Sequence, residues 1–299
     1  MDSHALEVLE FVRALDAVAG YAQSTPGAGF VRRLTPAVRR RDATCLHPLL
    51  SDLGALLSDA VAFPSLHFAD ISQILSRVRP EGATLAGDEL LEVRSFLRAV
   101  AALGTFLRSD ACANRVALAS VRQDLITLDT LRERLTATLD EDGTLYDNAS
   151  PALREARCRI RRLERRSRES AEALLRDSSL DGVYQDKYVT LRNGRYVLPV
   201  KREMRSRLAG VVHDLSESGR TVFIEPTPAV SLGNDLAAAR LEERDECRRI
   251  FSALSAEVRG GLGDLSADMD VMARFDGARA IARWASDLPC VLPAFGKRL

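Results

Sequence analysis

The sequence predicts a mainly α fold in which a helical bundle is interrupted once by a small β-rich module. Over most of the 299 residues, apolar side chains recur three or four positions apart, which is the period of an amphipathic helix. Between residues 184 and 226 the period changes to two, and β-branched or aromatic runs alternate with turn signals. Charge-rich helical segments precede and follow this stretch. We therefore expect the module to lie at the tip of two long antiparallel helices, a lever.

The composition indicates a cytoplasmic protein without a membrane partner. Lys plus Arg and Asp plus Glu both number 42, so attraction to nucleic acid requires a local basic surface. No apolar run reaches the roughly 20 residues of a membrane span, and the first residues lack the basic flank and apolar core of a secretory signal. The 5 cysteines are dispersed and odd in number, which favours reduced thiols over disulfides or a zinc site.

Residues 1–149 are predicted to form a helical core. Apolar spacing indicates one helix from Leu6 to Val18 and a short helix around Val31. A third helix, over about 43–61, contains Pro48, which a helix tolerates only in its first turn. The other helices of this half are predicted over residues 71–78, 87–103, 116–121 and 127–139.

The outgoing lever segment, 150–183, is predicted to begin with Ser150 as the helix N-cap and Pro151 in the first turn. Its narrow apolar seam and many arginines are typical of a long helix that packs along one partner. If it reached Ser178 it would be about 40 Å long, at about 1.5 Å per residue. The partner is the return lever segment, 227–262, whose acidic residues can pair with those arginines: Glu242, Glu243, Asp245 and Glu246.

After the lever, Gly260 and Gly261 are predicted to break the helix. Residues 263–288 then form a final core helix, and residues 289–299 have the composition of a linker. Within the module (184–226), strands are predicted at 188–191, 196–198, 211–212 and 221–224. Asn193-Gly194 predicts a type I′ hairpin turn, because both residues tolerate positive φ. Ser218-Gly219 predicts a second turn.

No catalytic constellation emerges from the sequence. It lacks the GxxxxGK[ST] phosphate loop, the GxSxG nucleophile motif and the HxxxH or HExxH spacing of metal sites. An acidic run at 140–147 lacks the glutamate that completes a calcium loop. His213 and Asp214 adjoin two serines but are too close along the chain to converge as a hydrolytic triad, so we interpret them as fold residues. We predict no catalytic residue, metal site or cofactor for this chain.

Basic residues provide the main functional signal, because seven crowd the module and three tyrosines are interleaved with them. The candidate phosphate contacts are Lys187, Arg192, Arg195, Lys201, Arg202, Arg205 and Arg207. Such a patch can bind nucleic acid without sequence specificity, by neutralising phosphates. A solvated charged surface is the other interpretation of the same pattern.

Several motifs resemble the MutS superfamily. They are DNAS at 147–150, VTLRNGRYVLPVK at 189–201, GVVHD at 210–214, SESG at 216–219 and TVFIEP at 221–226. They are most similar to the second bacterial branch, which lacks the mismatch-reading domain. The resemblance covers nearly the whole chain. One departure is Gly233, where the family often has asparagine and where glycine weakens a helix by about 0.5–1 kcal/mol relative to alanine.

This resemblance implies a helical core, an antiparallel lever and a strand-containing clamp. It also implies a parent ATPase, with ATP and Mg bound in a domain that follows the core, a nuclease domain in many members, and a homodimer. Because no Walker motif is present, we expect the chain to be the core, lever and clamp of such a protein. The implied partners are branched or duplex DNA, in DNA repair by suppression of recombination, or a stalled ribosome. The alternative function is a helical scaffold for protein or ribosome contacts, with little direct affinity for DNA.

Overall fold

The computed structural model describes residues 3–37, 39–288 and 290–293. The fold is mainly α, as predicted, with 63% of the described residues in helices, the 3₁₀ turns included, and one small antiparallel sheet. The chain divides into two compact units. The core unit contains the residues up to Thr144 and those from Phe251 onward, and the sheet unit contains Leu145–Ile250. No helix in the described ranges combines the length and the apolar character needed to cross a bilayer.

The helices follow in chain order. They are α1 Ser3–Val8, α2 Phe11–Ala19, α3 Thr25–Arg32, α4 Arg40–Ala43, α5 His47–Ser58, α6 Ser72–Val78, α7 Gly87–Leu107, α8 Val116–Asp124, α9 Asp129–Thr138, α10 Pro151–Leu175, α11 Thr227–Gly260 and α12 Leu262–Asp287. The strands are β1 Thr190–Arg192, β2 Arg195–Lys201, β3 Gly210–Leu215 and β4 Thr221–Pro226. They form one antiparallel sheet in the order β1-β2-β4-β3.

Two predicted core helices are divided in the structure. The helix predicted from Leu6 to Val18 is α1 and α2, because Glu10 between them has a left-handed backbone, with φ 49°. The apolar spacing continues through this break and therefore did not predict it. The helix can end there because Val8 and Leu9 are exposed, so no packing against them holds the chain in a continuous helix. The helix predicted over 43–61 is α4 and α5, and α5 places Pro48 in its first turn, as the proline argument requires.

Local signals in the second half are confirmed. Ser150 caps α10, its side chain accepting a hydrogen bond from the Leu153 N–H at 3.0 Å. The helix ends at Leu175, earlier than Ser178, which lies in a short 3₁₀ turn. The glycine break separates α11 from α12. The predicted linker 289–299 falls largely outside the described residues, and its described part, 290–293, has no regular secondary structure.

An apolar seam and cross-helix ion pairs join α10 to α11 within the sheet unit. The seam contains Ile160 and Leu163 of α10 with Leu236 and Ala239 of α11. Of the predicted acidic partners, two pair across the seam: Glu243 with Arg157 at 2.8 Å and Glu242 with Arg159 at 3.0 Å. The other two pair with arginines of their own helix, Asp245 with Arg248 and Glu246 with Arg249. Apolar packing therefore joins the helices, and the ion pairs fix their register.

A second apolar cluster packs the C-terminal end of α10 beneath the sheet. Its buried members are Ala171, Val183, Tyr184, Leu198, Val200, Leu208, Val222 and Ile224. The Tyr184 hydroxyl donates to the Leu174 carbonyl at 3.0 Å, so the end of α10 is also hydrogen-bonded to the chain that enters the sheet. The β1–β2 turn is the predicted type I′ turn, with φ 50° at Asn193 and 76° at Gly194.

In the core unit, a buried carboxylate ties α12 to the start of α3. Asp276 accepts hydrogen bonds from the backbone N–H groups of Gln23 (3.0 Å) and Ser24 (2.8 Å) and from the Ser24 hydroxyl (2.7 Å). Arg279 neutralises it at 2.9 Å. A Cβ at Gly27 would collide with the Asp276 carboxylate, so glycine permits the close approach. The negative charge lies where the α3 dipole is positive, which favours this arrangement.

Asp268 of α12 is buried, and no cation pairs with it among the described residues. One carboxylate oxygen accepts from the Ile126 N–H at 2.7 Å, and the other has no hydrogen-bond partner in the described structure. Burial raises the pKa of Asp268 to about 6, and Asp264 adds to the shift. Because the folded-state pKa exceeds the unfolded one, the folded state binds this proton more tightly. Protonated Asp268 therefore contributes its full stabilisation of the folded state below about pH 4, and this stabilisation is lost as the pH rises through 6.

We expect Asp268→Asn to remove this loss, because the amide retains an acceptor for the Ile126 N–H without carrying charge. From pH 4 to pH 7 the wild-type free energy of unfolding should fall relative to that of the variant by up to about 3 kcal/mol. Urea unfolding across this range measures the difference. Asp270→Asn, an exposed acid of the same helix, is the control and should show no such trend. Parallel pH profiles for wild type and Asp268→Asn would contradict the account.

Candidate nucleic-acid interface

A buried carboxylate connects three strands to α11. Glu225 of β4 is 1% exposed. His213 of β3 donates to it through Nε2 at 2.7 Å, and the Arg195 guanidinium of β2 lies 3.3 Å away. The other terminal nitrogen of Arg195 donates to the Asn234 side chain of α11 at 2.8 Å. A carboxylate buried to this extent is stable only when paired and hydrogen-bonded, so His213 and Arg195 are required by the fold. We call these four residues the Glu225 network.

Gly233 of α11 lies directly against this network. A Cβ at this position would meet the Glu225 carboxylate and would come within 2.5 Å of an Arg195 guanidinium nitrogen. Glycine thus allows the backbone of α11 to approach the paired charges. The weakness predicted for Gly233 from helix propensity is therefore outweighed by a packing requirement that appears only in three dimensions.

The β1–β2 turn folds over one face of the sheet. The Arg192 guanidinium lies over the Phe223 ring at 4.6 Å and pairs with Asp214 of β3 at 3.4 Å. The Asn193 side chain donates to the carbonyl of His213 at 3.2 Å. These contacts reach β3 although β2 and β4 lie between it and β1 in the sheet, so the sheet is strongly curled. A register shift at His213 marks an irregularity in β3, a feature that increases local twist.

The structure divides the seven candidate cations into two groups. Arg195 and Arg192 make the internal contacts of the curled sheet, and exposed Lys187 pairs with Asp181 at 2.6 Å. The other four are close together along the chain. Lys201 ends β2, and Arg202, Arg205 and Arg207 lie in a 3₁₀ segment, Arg202–Arg207.

This second group has no acidic partner among the described residues. The three arginines are exposed, and two of them donate only to backbone carbonyls at long distances. Arg202 reaches the carbonyl of Gly219 at 3.4 Å, and Arg207 reaches that of Ser179 at 3.5 Å. Their charge is therefore available to an external anion, although Glu203 lies in the same segment and offsets part of it.

Arg220 belongs beside this group and was missed from the sequence. The backbone carbonyl of Arg220 accepts a hydrogen bond from the backbone N–H of Arg202 at 2.9 Å, and Arg220 is exposed. Lys201 of β2 pairs with Thr221 of β4, and this pairing brings the β3–β4 turn, which contains Arg220, next to the 3₁₀ segment. The sequence places Arg220 next to the predicted strand 221–224, and pairing of that strand with β2 is what brings it to Lys201. We define the basic surface as five residues: Lys201, Arg202, Arg205, Arg207 and Arg220.

The described residues contain no group of three His, Cys, Asp or Glu side chains that could hold a metal ion. His213 and Asp214 have separate partners, Glu225 and Arg192 respectively. Both act in the fold of the sheet, which agrees with the sequence interpretation of this pair.

Comparisons with known proteins identify the relatives of the chain. No protein-family model matches it. The endonuclease MutS2 of Gemmatimonas aurantiaca is 33% identical over 299 residues, covering 99% of this chain and 36% of that protein. The chain is of the MutS2 type. The MutS2 proteins of Bacillus velezensis and Bacillus subtilis, the latter named a putative endonuclease, are each 32% identical over 98% of the chain and 38% of their own length. The MutS2-type chain thus spans little more than a third of these relatives.

The resemblance to the second branch of the MutS superfamily is confirmed by these matches. The motifs that predicted it contain the residues that hold the curled sheet together: Asn193, Arg195, His213 and Glu225. In this MutS2-type chain the motifs therefore consist mainly of residues that stabilise the sheet internally. Of the basic surface, they include only Lys201.

We expect Gly233→Ala to destabilise the protein, although alanine is the better helix former. The added methyl group must displace Glu225 or Arg195, and overpacking of this kind costs about 1–3 kcal/mol. The control is Gly54→Ala in α5, where a Cβ would meet nothing within 4 Å. That change should stabilise by about 0.5–1 kcal/mol. Chemical denaturation measures both, and stabilisation by Gly233→Ala would refute the close-approach account.

Proposed function

We propose that the sheet unit contacts nucleic-acid phosphates without sequence specificity, as part of a MutS2-type DNA-binding protein. The observation that carries this proposal is the basic surface, in which four arginines are exposed and none of the five cations has an acidic partner among the described residues. Each phosphate that such a cation neutralises releases condensed counterions, which favours binding and makes it dependent on salt. Since the chain has a net charge of zero, a local surface is the means by which it can attract a polyanion.

In this proposal the contribution of each candidate cation follows from its surroundings. Lys201, Arg202, Arg205 and Arg207 contact phosphates, with Arg220 beside them. Lys187 contributes less because it is paired with Asp181. Arg192 and Arg195 act mainly by holding the shape that presents the others, because their guanidinium groups already have partners.

For the parent protein we propose the activity that the names of the relatives suggest. They are endonucleases, and the family resemblance adds an ATPase, a homodimer and a role in suppressing recombination in the cytoplasm. Residues 1–299 contain no phosphate-loop motif, and in this proposal ATP and Mg bind in another part of the parent. In the same proposal α10 and α11 form the lever, and the sheet between them forms the clamp.

The second candidate is a scaffold that contacts a protein or a stalled ribosome. The observation that favours it is the exposure of large apolar side chains on the sheet unit, including Met204 within the 3₁₀ segment, Tyr188 and Leu215. Such side chains supply the apolar part of a protein interface and contribute little to phosphate contacts. The two candidates therefore differ in the salt dependence of binding.

We expect the triple variant Arg202→Gln, Arg205→Gln, Arg207→Gln to bind duplex DNA more weakly and with a smaller dependence on salt. The slope of log K against log salt should fall by about 0.9 for each phosphate that is no longer neutralised, or about 2.7 in all. Fluorescence anisotropy of a labelled duplex and a four-way junction, over a range of salt concentrations, measures the slope. Three exposed arginines of the core unit, Arg79, Arg98 and Arg122, changed together to Gln, provide a control of equal charge.

The control variant should retain the wild-type slope. An equal decrease in both variants would mean that net charge alone acts, and no decrease in either would refute the proposed surface. Binding to ribosomes that survives in the triple variant, together with negligible affinity for DNA in the wild type, would favour the scaffold function.

A further inference from the structure

The outgoing helix α10 carries arginines of two kinds. Four are paired with acidic side chains: Arg157, Arg159, Arg161 and Arg168. Four others are exposed and have no hydrogen-bond or ion-pair partner within the described residues: Arg154, Arg162, Arg165 and Arg166. The second kind is not explained by the packing of α10 against α11.

Three of these residues form a compact group on the helix surface. Arg165 and Arg166 follow Arg162 at i+3 and i+4, so the Cβ atom of Arg162 lies about 5–6 Å from that of each of the other two. At about 100° per residue, Arg165 lies opposite the buried residues Ile160 and Leu163, and Arg162 and Arg166 lie on one flank of that seam. We call them the arginine triad.

No ion pair within the described residues offsets the mutual repulsion of the arginine triad. Like charges at these spacings destabilise a helix, and the exposed Glu169, one turn beyond, makes no ion pair with any of them. The same helix does provide acidic partners for other exposed arginines; Arg168, for example, pairs with Glu172 at 2.7 Å. A concentration of positive charge without such compensation is best explained by an external anion.

We propose that the arginine triad is a second contact surface for nucleic-acid phosphates, separate from the basic surface of the sheet. The choice of nucleic acid as the ligand rests on the proposed function. The location of the contact on α10 rests on the exposed, unpaired arginines of the triad. Guanidinium groups suit this ligand because their planar array of donors matches phosphate oxygens and can bind them in bidentate geometry.

An acidic protein is the competing partner, and the surroundings of the triad disfavour it. A stable protein interface needs a desolvated core with apolar or aromatic anchors. No large apolar side chain of α10 (Pro151–Leu175) is among the exposed ones in the described structure. A phosphodiester backbone has no such need, because repeated charge contacts suffice to bind it.

The test changes the triad in the whole 299-residue chain, as Arg162→Gln, Arg165→Gln, Arg166→Gln. Glutamine keeps the length and the helix propensity of the side chain, and circular dichroism confirms that the helix is retained. We expect the slope of log K against log salt to fall by about 2.7, three times the value for one phosphate. The matched control replaces the paired arginines Arg159, Arg161 and Arg168 by Gln and should leave the slope nearly unchanged.

Duplexes of DNA and of RNA with the same sequence distinguish the two sources of phosphate, and a decrease for either one supports the proposal. The 3₁₀ variant, Arg202→Gln, Arg205→Gln, Arg207→Gln, is titrated in parallel. If both variants reduce the slope and their combination reduces it additively, both surfaces bind phosphate. If only the 3₁₀ variant does, the triad is not a contact surface and the proposed function stands. If only the triad variant does, the triad binds phosphate and the basic surface of the sheet does not.

Two further outcomes would overturn the proposal. One is an equal decrease in the salt slope for the triad variant and for the paired-arginine control, which would mean that only the overall charge of α10 affects binding. The other is displacement of DNA by polyglutamate of equal charge from the wild type but not from the triad variant, which would make the triad a site for carboxylates of an acidic protein.

Discussion

The buried ion pair between Glu225 and Arg195 is the interaction on which the sheet unit depends. Glu225 lies in β4, Arg195 in β2 and its second acceptor, Asn234, in α11. His213 adds β3. Burying a carboxylate is costly, and removing one partner of such a pair leaves an uncompensated charge that costs about 3–5 kcal/mol. The network therefore fixes strand order, curl and the entry into α11 together, and Gly233 gives it the space that it needs.

This constraint separates the cations of the module by role. Positive charge that neutralises Glu225 or covers Phe223 already has an internal partner and therefore contributes less to attracting a polyanion. Positive charge in the 3₁₀ segment and in the arginine triad of α10 has no such partner within the described structure. The proposed phosphate contacts are therefore on the segments that the Glu225 network supports, and the network itself lies inside the fold. Affinity and stability should then respond to different arginines, although all of these residues carry the same charge.

Local chemistry was predictable from the sequence wherever it depends on neighbouring residues. The Asn193-Gly194 turn, the Ser150 cap and the glycine break after α11 all follow from residue type and spacing. The partner of Arg195 could not be predicted in this way, because Glu225 lies 30 residues away along the chain and only strand pairing brings the two side chains together. Arg220 was missed for the same reason, and the break at Glu10 was missed because exposed apolar residues continued the helical period. A sequence shows where charge is, whereas the fold determines whether a partner already neutralises it.

Hydrogen–deuterium exchange of the chain with and without duplex DNA at low salt would locate the proposed phosphate contact without altering a residue. We expect slower exchange on DNA binding in residues 201–207 and 216–220, with little change in β4, whose amides already pair with β2 and β3. Protection confined to the core unit, with none in residues 201–220, would contradict the claim that the curled sheet presents its exposed cations to phosphates.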